Sequence, residues 1–370
     1  MTGTLSRLPQ FALRCLRSAA VRLMGEASPS PRAMCLYVTK KCNLRCRICG
    51  IWTEAFQQDT GEDLSLDDMK RIFSDPLFHR LEFVNINGGE PNLRADLPEI
   101  VDLCLRSFPR LEILTLNTNG LPHERTIQNV KRMNSLLRPA NVSFSVSVSF
   151  HAMGRLCDDI AGRPGTFHRV MKTFAELKRL RITAGFHLSA NCVISRLNIS
   201  RLPEILEWGE RENIPVNFTL GEVRNRFHNT NLADNVLVDV PDREALVRFL
   251  RTLGRSKKRF LQHALRYRHL ADMIEHGRPR ALSCHYRMAG LILGSDGSLF
   301  YCKDSPSLGN CLEASASSLY YGKENLEMRD KVLFRGKCAS CPPNTFNRIE
   351  AERDILKILN DLLIPRRRTV

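Results

Sequence analysis

Between residues 33 and 220 apolar stretches with strand character alternate without interruption with amphipathic stretches of helical period. Residues 33–39 (AMCLYVT), 81–87 (LEFVNIN), 111–116, 142–149 (VSFSVSVS), 186–194 and 216–220 read as strands. Residues 66–73, 97–108, 123–138, 165–180 and 202–212 read as helices, with Ser65 as N-cap of the first. Strict β-α alternation is the pattern of a parallel sheet whose crossovers are helices. Six such units predict an α/β fold, a partial (β/α)6 TIM-like barrel open on one side. Functional residues then belong at the C-terminal strand ends and in the loops that follow.

The flanking segments differ in character. Residues 1–32 form a basic amphipathic N-terminal extension, with Leu8, Ala12, Leu16, Ala19 and Leu23 on one helical face and no acid before Glu26. Such a helix docks on the protein, lies on an anionic membrane, or imitates a transit peptide. The barrel is expected over 33–225 and a basic helical bridge over 226–283. A cysteine-bearing domain follows at 284–350, then a C-terminal helix and basic tail at 351–370. In the bridge, Arg255, Lys257, Lys258, Arg259, Arg266 and Arg268 face a phosphate-bearing substrate, a membrane, or only solvent.

The net charge of +16 calls for an anionic partner. The basic residues are spread along the chain without a nucleic-acid-binding motif, so no specific nucleic acid is expected. No stretch approaches the ~20 apolar residues of a membrane span, and the N-terminus lacks the apolar core of a secretory signal. Thirteen cysteines, some in C-x2-C pairs, then point to metal ligation in a reducing, cytoplasmic setting, with peripheral membrane association through the N-terminal helix left open.

Cys42, Cys46 and Cys49 are spaced C-x3-C-x2-C directly after the first strand. A closed zinc site wants four ligands, and no fourth lies nearby in sequence. A [4Fe–4S] cluster held by three thiolates instead keeps one iron open for a ligand. This arrangement resembles the radical SAM (S-adenosylmethionine) superfamily. In that family SAM chelates the open iron and is cleaved reductively to methionine and a 5′-deoxyadenosyl radical.

Further motifs follow in strand order. Gly88-Gly89-Glu90, after the second strand, is similar to the family's GGE motif for the methionine amino group. Glycines let backbone approach a ligand, and a carboxylate accepts from an ammonium; alone, the sequence is equally a plain turn. Thr118-Asn119-Gly120 is similar to the TNG found after the third strand. The run from Ser149 to Gly162 resembles the stretch that contacts the SAM ribose and carboxylate. Aligned on Asp158 and Gly162, Ser149 takes the serine position and His151 the aspartate position. A carboxylate role is lost at 151, where an imidazole hydrogen-bonds a ribose hydroxyl or is only a loop histidine. Asn191 is a further polar contact to SAM, and Ile48 takes the place of an aromatic residue near adenine. The resemblance covers about 33–225.

Cys284, Cys302, Cys338 and Cys341 form a second set. Asp296-Gly297 between apolar runs signals a hairpin that returns Cys302 towards Cys284. Four thiols complete a site for zinc or for a four-iron cluster. Behind a radical SAM barrel, Gly297-x4-Cys302 followed by C-x2-C resembles the SPASM/Twitch extensions, in the shorter Twitch form with one auxiliary [4Fe–4S] cluster.

The resemblance implies a radical SAM oxidoreductase or isomerase. Its substrate would be a small molecule (sugar, aminocyclitol, nucleotide or lipid-linked precursor), anionic or phosphorylated. Dehydrogenation or epimerisation would follow, with a reducing partner such as flavodoxin or ferredoxin. Cys192 and Cys311 are thiols that an epimerase would use as hydrogen donors, or ordinary cysteines; Cys15, Cys35, Cys104 and Cys157 read as core or loop. Glu222, Arg224 and Asn225, after the sixth strand, are placed to meet substrate. Two alternatives stand beside this reading: a maturase of ribosomal peptides, and a non-enzymatic binding protein with structural zinc.

Overall fold

The computed structural model describes residues 30–53, 62–224, 227–237, 240–256, 261–344, 348–354 and 357. The extension at 1–29, Asn225, Lys257, Lys258, Arg259 and most of the C-terminal helix lie outside the described residues.

Six parallel strands form the barrel wall: β1 (Ala33–Tyr37), β2 (Phe83–Asn87), β3 (Ile113–Thr118), β4 (Ser143–Ser149), β5 (His187–Ile194) and β6 (Val216–Leu220). Helices α1 (Leu66–Phe73), α2 (Leu97–Ser107), α3 (His123–Leu137), α4 (Gly154–Ala161), α5 (Thr166–Ala184) and α6 (Leu202–Glu212) provide the crossovers. Ser65 caps α1 through a reciprocal box with Asp68, as its sequence signalled.

Two features depart from the sequence reading. First, α4 precedes α5 within one crossover, where a single helix was expected. Gly162, at φ +63°, ends α4. The Asp158 carboxylate then accepts from Gly165 N–H at 2.6 Å and Phe167 N–H at 2.7 Å, setting the start of α5. Second, the hairpin of the cysteine-bearing segment is not set apart from the barrel. Its first strand, β7 (Gly290–Leu293), pairs in parallel with β1 from Ala33↔Gly290 to Leu36↔Leu293. With β8 (Ser298–Phe300) and β9 (Gly309–Asn310) the sheet reads β6-β5-β4-β3-β2-β1-β7-β8-β9, so the expected boundary at 284 does not interrupt it. The physical reason is β1 itself: apolar on both faces and buried, it is a central strand that needs a partner on each edge.

The other edge, β6, ends the sheet, and side chains occupy it. Helices α7 (Val240–Arg255) and α8 (Leu261–His276) reach it through Phe249, whose ring meets that of Phe218 edge-on at 4.9 Å, and through Tyr267. Phe218 N–H donates to Tyr267 Oη at 2.9 Å, and Arg266 Nη2 donates to Phe218 O at 3.1 Å. Asn344 bonds both backbone groups of Leu220, accepting at 2.8 Å and donating at 2.9 Å. The basic bridge is therefore not a solvated face at these positions: Arg266 is buried, and Arg268 Nη1 donates to Gly254 O at 2.7 Å. Among the described residues no helix is long and apolar enough to cross a membrane.

Candidate active site

The barrel encloses a cavity of about 690 Å³. Its wall follows from strand alternation. On β2 to β6 alternate residues turn inward, and most of them are neutral polar side chains, among them Asn85, Asn117, Ser147, Asn191 and Thr219, with Phe83 and Val193 as apolar members. Asn117 Nδ2 donates to Asn85 Oδ1 at 2.6 Å and Asn87 Oδ1 at 2.9 Å, joining β2 to β3 within the wall. Of these residues only Asn191 was singled out from the sequence. Their signal was visible, as Asn, Ser and Thr at alternate places inside otherwise apolar strands.

Cys42, Cys46 and Cys49 all line this cavity. Their loop is clamped from three directions. Arg45 and Arg47 N–H donate to Ala161 O and Ile160 O at 3.0 and 2.8 Å, at the end of α4. Gly50 N–H donates to Phe227 O at 2.8 Å, and the buried Asn229 Nδ2 donates to Ile48 O at 3.2 Å. Asn119 Nδ2 donates to Asn43 Oδ1 at 2.8 Å. Backbone N–H groups also meet the sulfurs, from Leu44 at Cys42 and from Ile51 at Cys49. Burial pushes the Cys42 thiol up to about 11 and raises Cys46 and Cys49 as well, so ligation by these sulfurs displaces protons.

Gly88 and Gly89 line the cavity, but the Glu90 side chain does not. This corrects the expectation that Glu90 presents its carboxylate to an ammonium. Glu90 is 0% exposed. Its Oε1 accepts from Thr118 Oγ1 (2.6 Å), Asn92 Nδ2 (2.9 Å) and Asn92 N (3.0 Å), and its Oε2 from Asn119 N (2.6 Å). Burial raises its carboxyl above the ordinary range, against the pull of these bonds. Glu90 locks the 118–120 turn to the loop after β2, and backbone is what this motif offers the cavity. Gly89 must be glycine because a Cβ there would lie 2.3 Å from Lys41 O. Its N–H donates to Thr39 O at 2.8 Å, seating the entry to the cysteine loop.

Ser149 and Asn191 face each other in the β4–β5 register, and both line the cavity with Ile48, Asn119 and His151. His151 Nδ1 accepts from Val193 N–H at 3.2 Å, which places the ring proton on Nε2. Burial pushes its pKa down to about 4, so a neutral imidazole carries an N–H donor at the cavity. The two thiols singled out as hydrogen donors do not line the cavity. Cys192 sits on β5 between the inward Asn191 and Val193 and so points outward, with its sulfur 3.7 Å from Asn198 Nδ2. Cys311 is buried elsewhere, while Cys157, read as core or loop, does reach the cavity wall.

Residues 36–209 match the model of the Radical SAM superfamily. The chain carries a radical SAM domain. A probable GTP 3′,8-cyclase of Methanococcus maripaludis is 34% identical over 100 residues, 27% of this chain and 32% of that protein. The Fe-coproporphyrin III synthase of Methanosarcina barkeri is 26% identical over 178 residues, 48% of this chain and 41% of that protein. The GTP 3′,8-cyclase of Mannheimia succiniciproducens is 27% identical over 213 residues, 55% of this chain and 58% of that protein. The chain thus spans from about a third to somewhat over half of these relatives' lengths. Two solved structures share the fold. Streptococcus suis SuiB has a TM-score of 0.55 at 15% identity, covering 87% of this chain and 72% of that one. AdoMet-bound anSMEcpe has 0.57 at 14%, covering 89% and 98%.

A radical SAM domain implies a [4Fe–4S] cluster and SAM. The donor set fits: the three thiols of one clamped loop line one cavity and two of them receive backbone N–H groups. Among the described residues no three His, Cys, Asp or Glu side chains converge as ligands of a single ion would.

Members of the second cysteine set are pairwise neighbours. Cys302, Cys338 and Cys341 lie within electrostatic reach of one another, and Cys284 within reach of Cys341. Burial pushes Cys284 and Cys302 up to about 11. Asp304 N–H donates to Cys302 Sγ at 3.4 Å, and Arg280 Nη1 lies 3.9 Å from Cys341 Sγ. A charged group ties this set to the end of β6. Glu222 pairs with Arg224 and Lys303, and Arg224 pairs with Asp304. Burial alone would raise the Glu222 carboxyl, but the two cations hold it below its ordinary value. Glu222 and Lys303 line the cavity; Arg224 does not.

Proposed function

We propose that this radical SAM enzyme removes a hydrogen atom from a small-molecule substrate held in the barrel cavity, and that Cys284, Cys302, Cys338 and Cys341 hold an auxiliary [4Fe–4S] cluster. The observation that carries the reading is the joint lining of one cavity by the Cys42–Cys49 loop, the Gly88–Gly89 backbone and a wall of neutral polar side chains. When bound, the first cluster and SAM would supply the 5′-deoxyadenosyl radical, and a cluster held by the second cysteine set would supply one-electron redox chemistry, the difference between dehydrogenation and epimerisation. The chain's own residues do the positioning. Ile48 packs on the adenine, and the Nε2–H of His151 meets a ribose hydroxyl. Ser149, Asn119 and Asn191 bound the SAM end, and the Asn, Ser and Thr wall orients the substrate. The reducing partner would be a flavodoxin or ferredoxin.

The test is anaerobic. Iron-loaded protein, SAM and a chemical reductant should yield 5′-deoxyadenosine, and a deuterated substrate should pass deuterium into it. GTP is the first compound to try, because curated relatives carry that name. Iron-loaded protein that forms no 5′-deoxyadenosine would end the reading. A peptide-modifying enzyme is the second reading, favoured by one observation. A further cavity of about 620 Å³ shares Ile51, Gly88, Gly89 and Lys303 with the first, which together offer room for an extended chain.

A further inference from the structure

Arg266 is the one cavity-lining cation without an acidic partner among the described residues. It is 3% exposed. Its Nη1 donates to Asn344 O and its Nη2 to Phe218 O, and its guanidinium lies 4.4 Å over the Tyr267 ring. Its buried Nε has no hydrogen-bond partner. An arginine does not shed its proton, and a buried unpaired charge is costly, so the group calls for an anion.

The remaining charges do not provide one. Glu222 is shared by Lys303 and Arg224, and Asp304 is taken by Arg224. Nor do the sulfurs. The cations that act on the cysteines are Arg45 at Cys42, and Arg280, Arg224, Lys303 and Arg287 at the second set. Arg266 is not among them. What remains is a fixed guanidinium, oriented by two carbonyls and an aromatic face, at the wall of a cavity whose other lining cation, Lys303, is already paired with Glu222.

We infer that Arg266 anchors an oxyanion of the substrate, a phosphate or a carboxylate, through its unused N–H groups. This deepens the proposed function and rests on its assignment of the cavity as the substrate site.

The test is a binding titration that needs no turnover. Its failure therefore leaves SAM cleavage standing, and absent SAM cleavage leaves the titration readable. The iron-loaded, SAM-saturated full chain is titrated anaerobically with pyrophosphate and, separately, with succinate. One of the two should bind saturably, and which one binds tells a phosphorylated substrate from a carboxylic acid. Arg266→Gln should weaken that binding about thirtyfold or more. Arg266→Lys, which keeps charge but not the planar fork, should weaken it less. Should Arg266→Gln not fold, hydrogen exchange on the unmutated protein decides, since the bound anion must slow exchange in α8 and at 216–220. The inference is overturned if neither probe binds below about 10 mM, if Arg266→Gln binds equally well, if SAM competes with the probe, or if protection falls elsewhere.

Discussion

Replacing Glu90 by Gln separates a ligand of SAM from a lock on the loops beneath it. The change swaps one carboxylate oxygen for an NH2 group. On the Oε1 side that group would face three donors, so the amide turns its NH2 to Asn119 N instead. One hydrogen bond to a charged acceptor is lost, about 1.5–3 kcal/mol, and a buried donor is left unmet, about 1–3 kcal/mol. Removing the charge returns part of this, because burial already disfavours the ionised carboxyl. A net loss of about 3 kcal/mol remains. Over 370 residues the unfolding entropy is about 0.8 kcal/mol per degree, so the melting temperature should fall by about 4 °C. The measurement is a thermal melt of the iron-loaded protein before SAM is added, beside a SAM titration. An unchanged melt with weakened SAM binding would refute the lock and restore Glu90 as the ammonium ligand.

Other perturbations probe the remaining parts. Under the proposed two-cluster reading, Cys46→Ala should abolish SAM cleavage and remove about half of the bound iron, the second set keeping its share, as read by iron analysis and product formation. Gly89→Ala drives a Cβ to 2.3 Å from Lys41 O, which should displace the cysteine loop and lower iron loading at the first site without touching the second. His151 has a folded pKa of about 4, below the ~6.5 of the unfolded chain, so protonation favours unfolding. Its contribution is fully present above about pH 6.5 and is lost as the pH falls towards 4, by about 3 kcal/mol. His151→Asn should flatten that part of the stability–pH curve, and the imidazole resonance should not titrate above about pH 5.

The strands and crossovers of the barrel were legible because period-two and period-3.6 patterns are local and strong. Cys42, Cys46 and Cys49 were legible because loop thiols at short spacing need no tertiary knowledge. The failures are of another kind. Glu90 sits in a loop motif that does reach the cavity, yet two donors of Asn92 in its own loop and two from Thr118 and Asn119 turn its side chain away, and no local pattern shows the second pair. Cys192 was chosen for its chemistry, and strand parity would have placed it on the outer face. The four residues of β7 looked like half of a hairpin, since nothing in GLIL says that its free edge will meet β1. Arg266 read as one basic residue in a basic helix. Its burial depends on Phe218 and Asn344, respectively 48 and 78 residues away.

The occupied margin of β6 bears on how the molecule avoids its own copies. A strand with unmet N–H and C=O groups is a template for another chain. Here four such groups, on Phe218 and Leu220, are met by Tyr267, Arg266 and Asn344. Asn344 stands three residues beyond Cys341, so whatever fixes Cys338 and Cys341 also keeps that stopper in place. Withdrawing the segment uncovers Leu220 and offers the sheet for self-association, so under the proposed auxiliary cluster iron removal should raise light scattering.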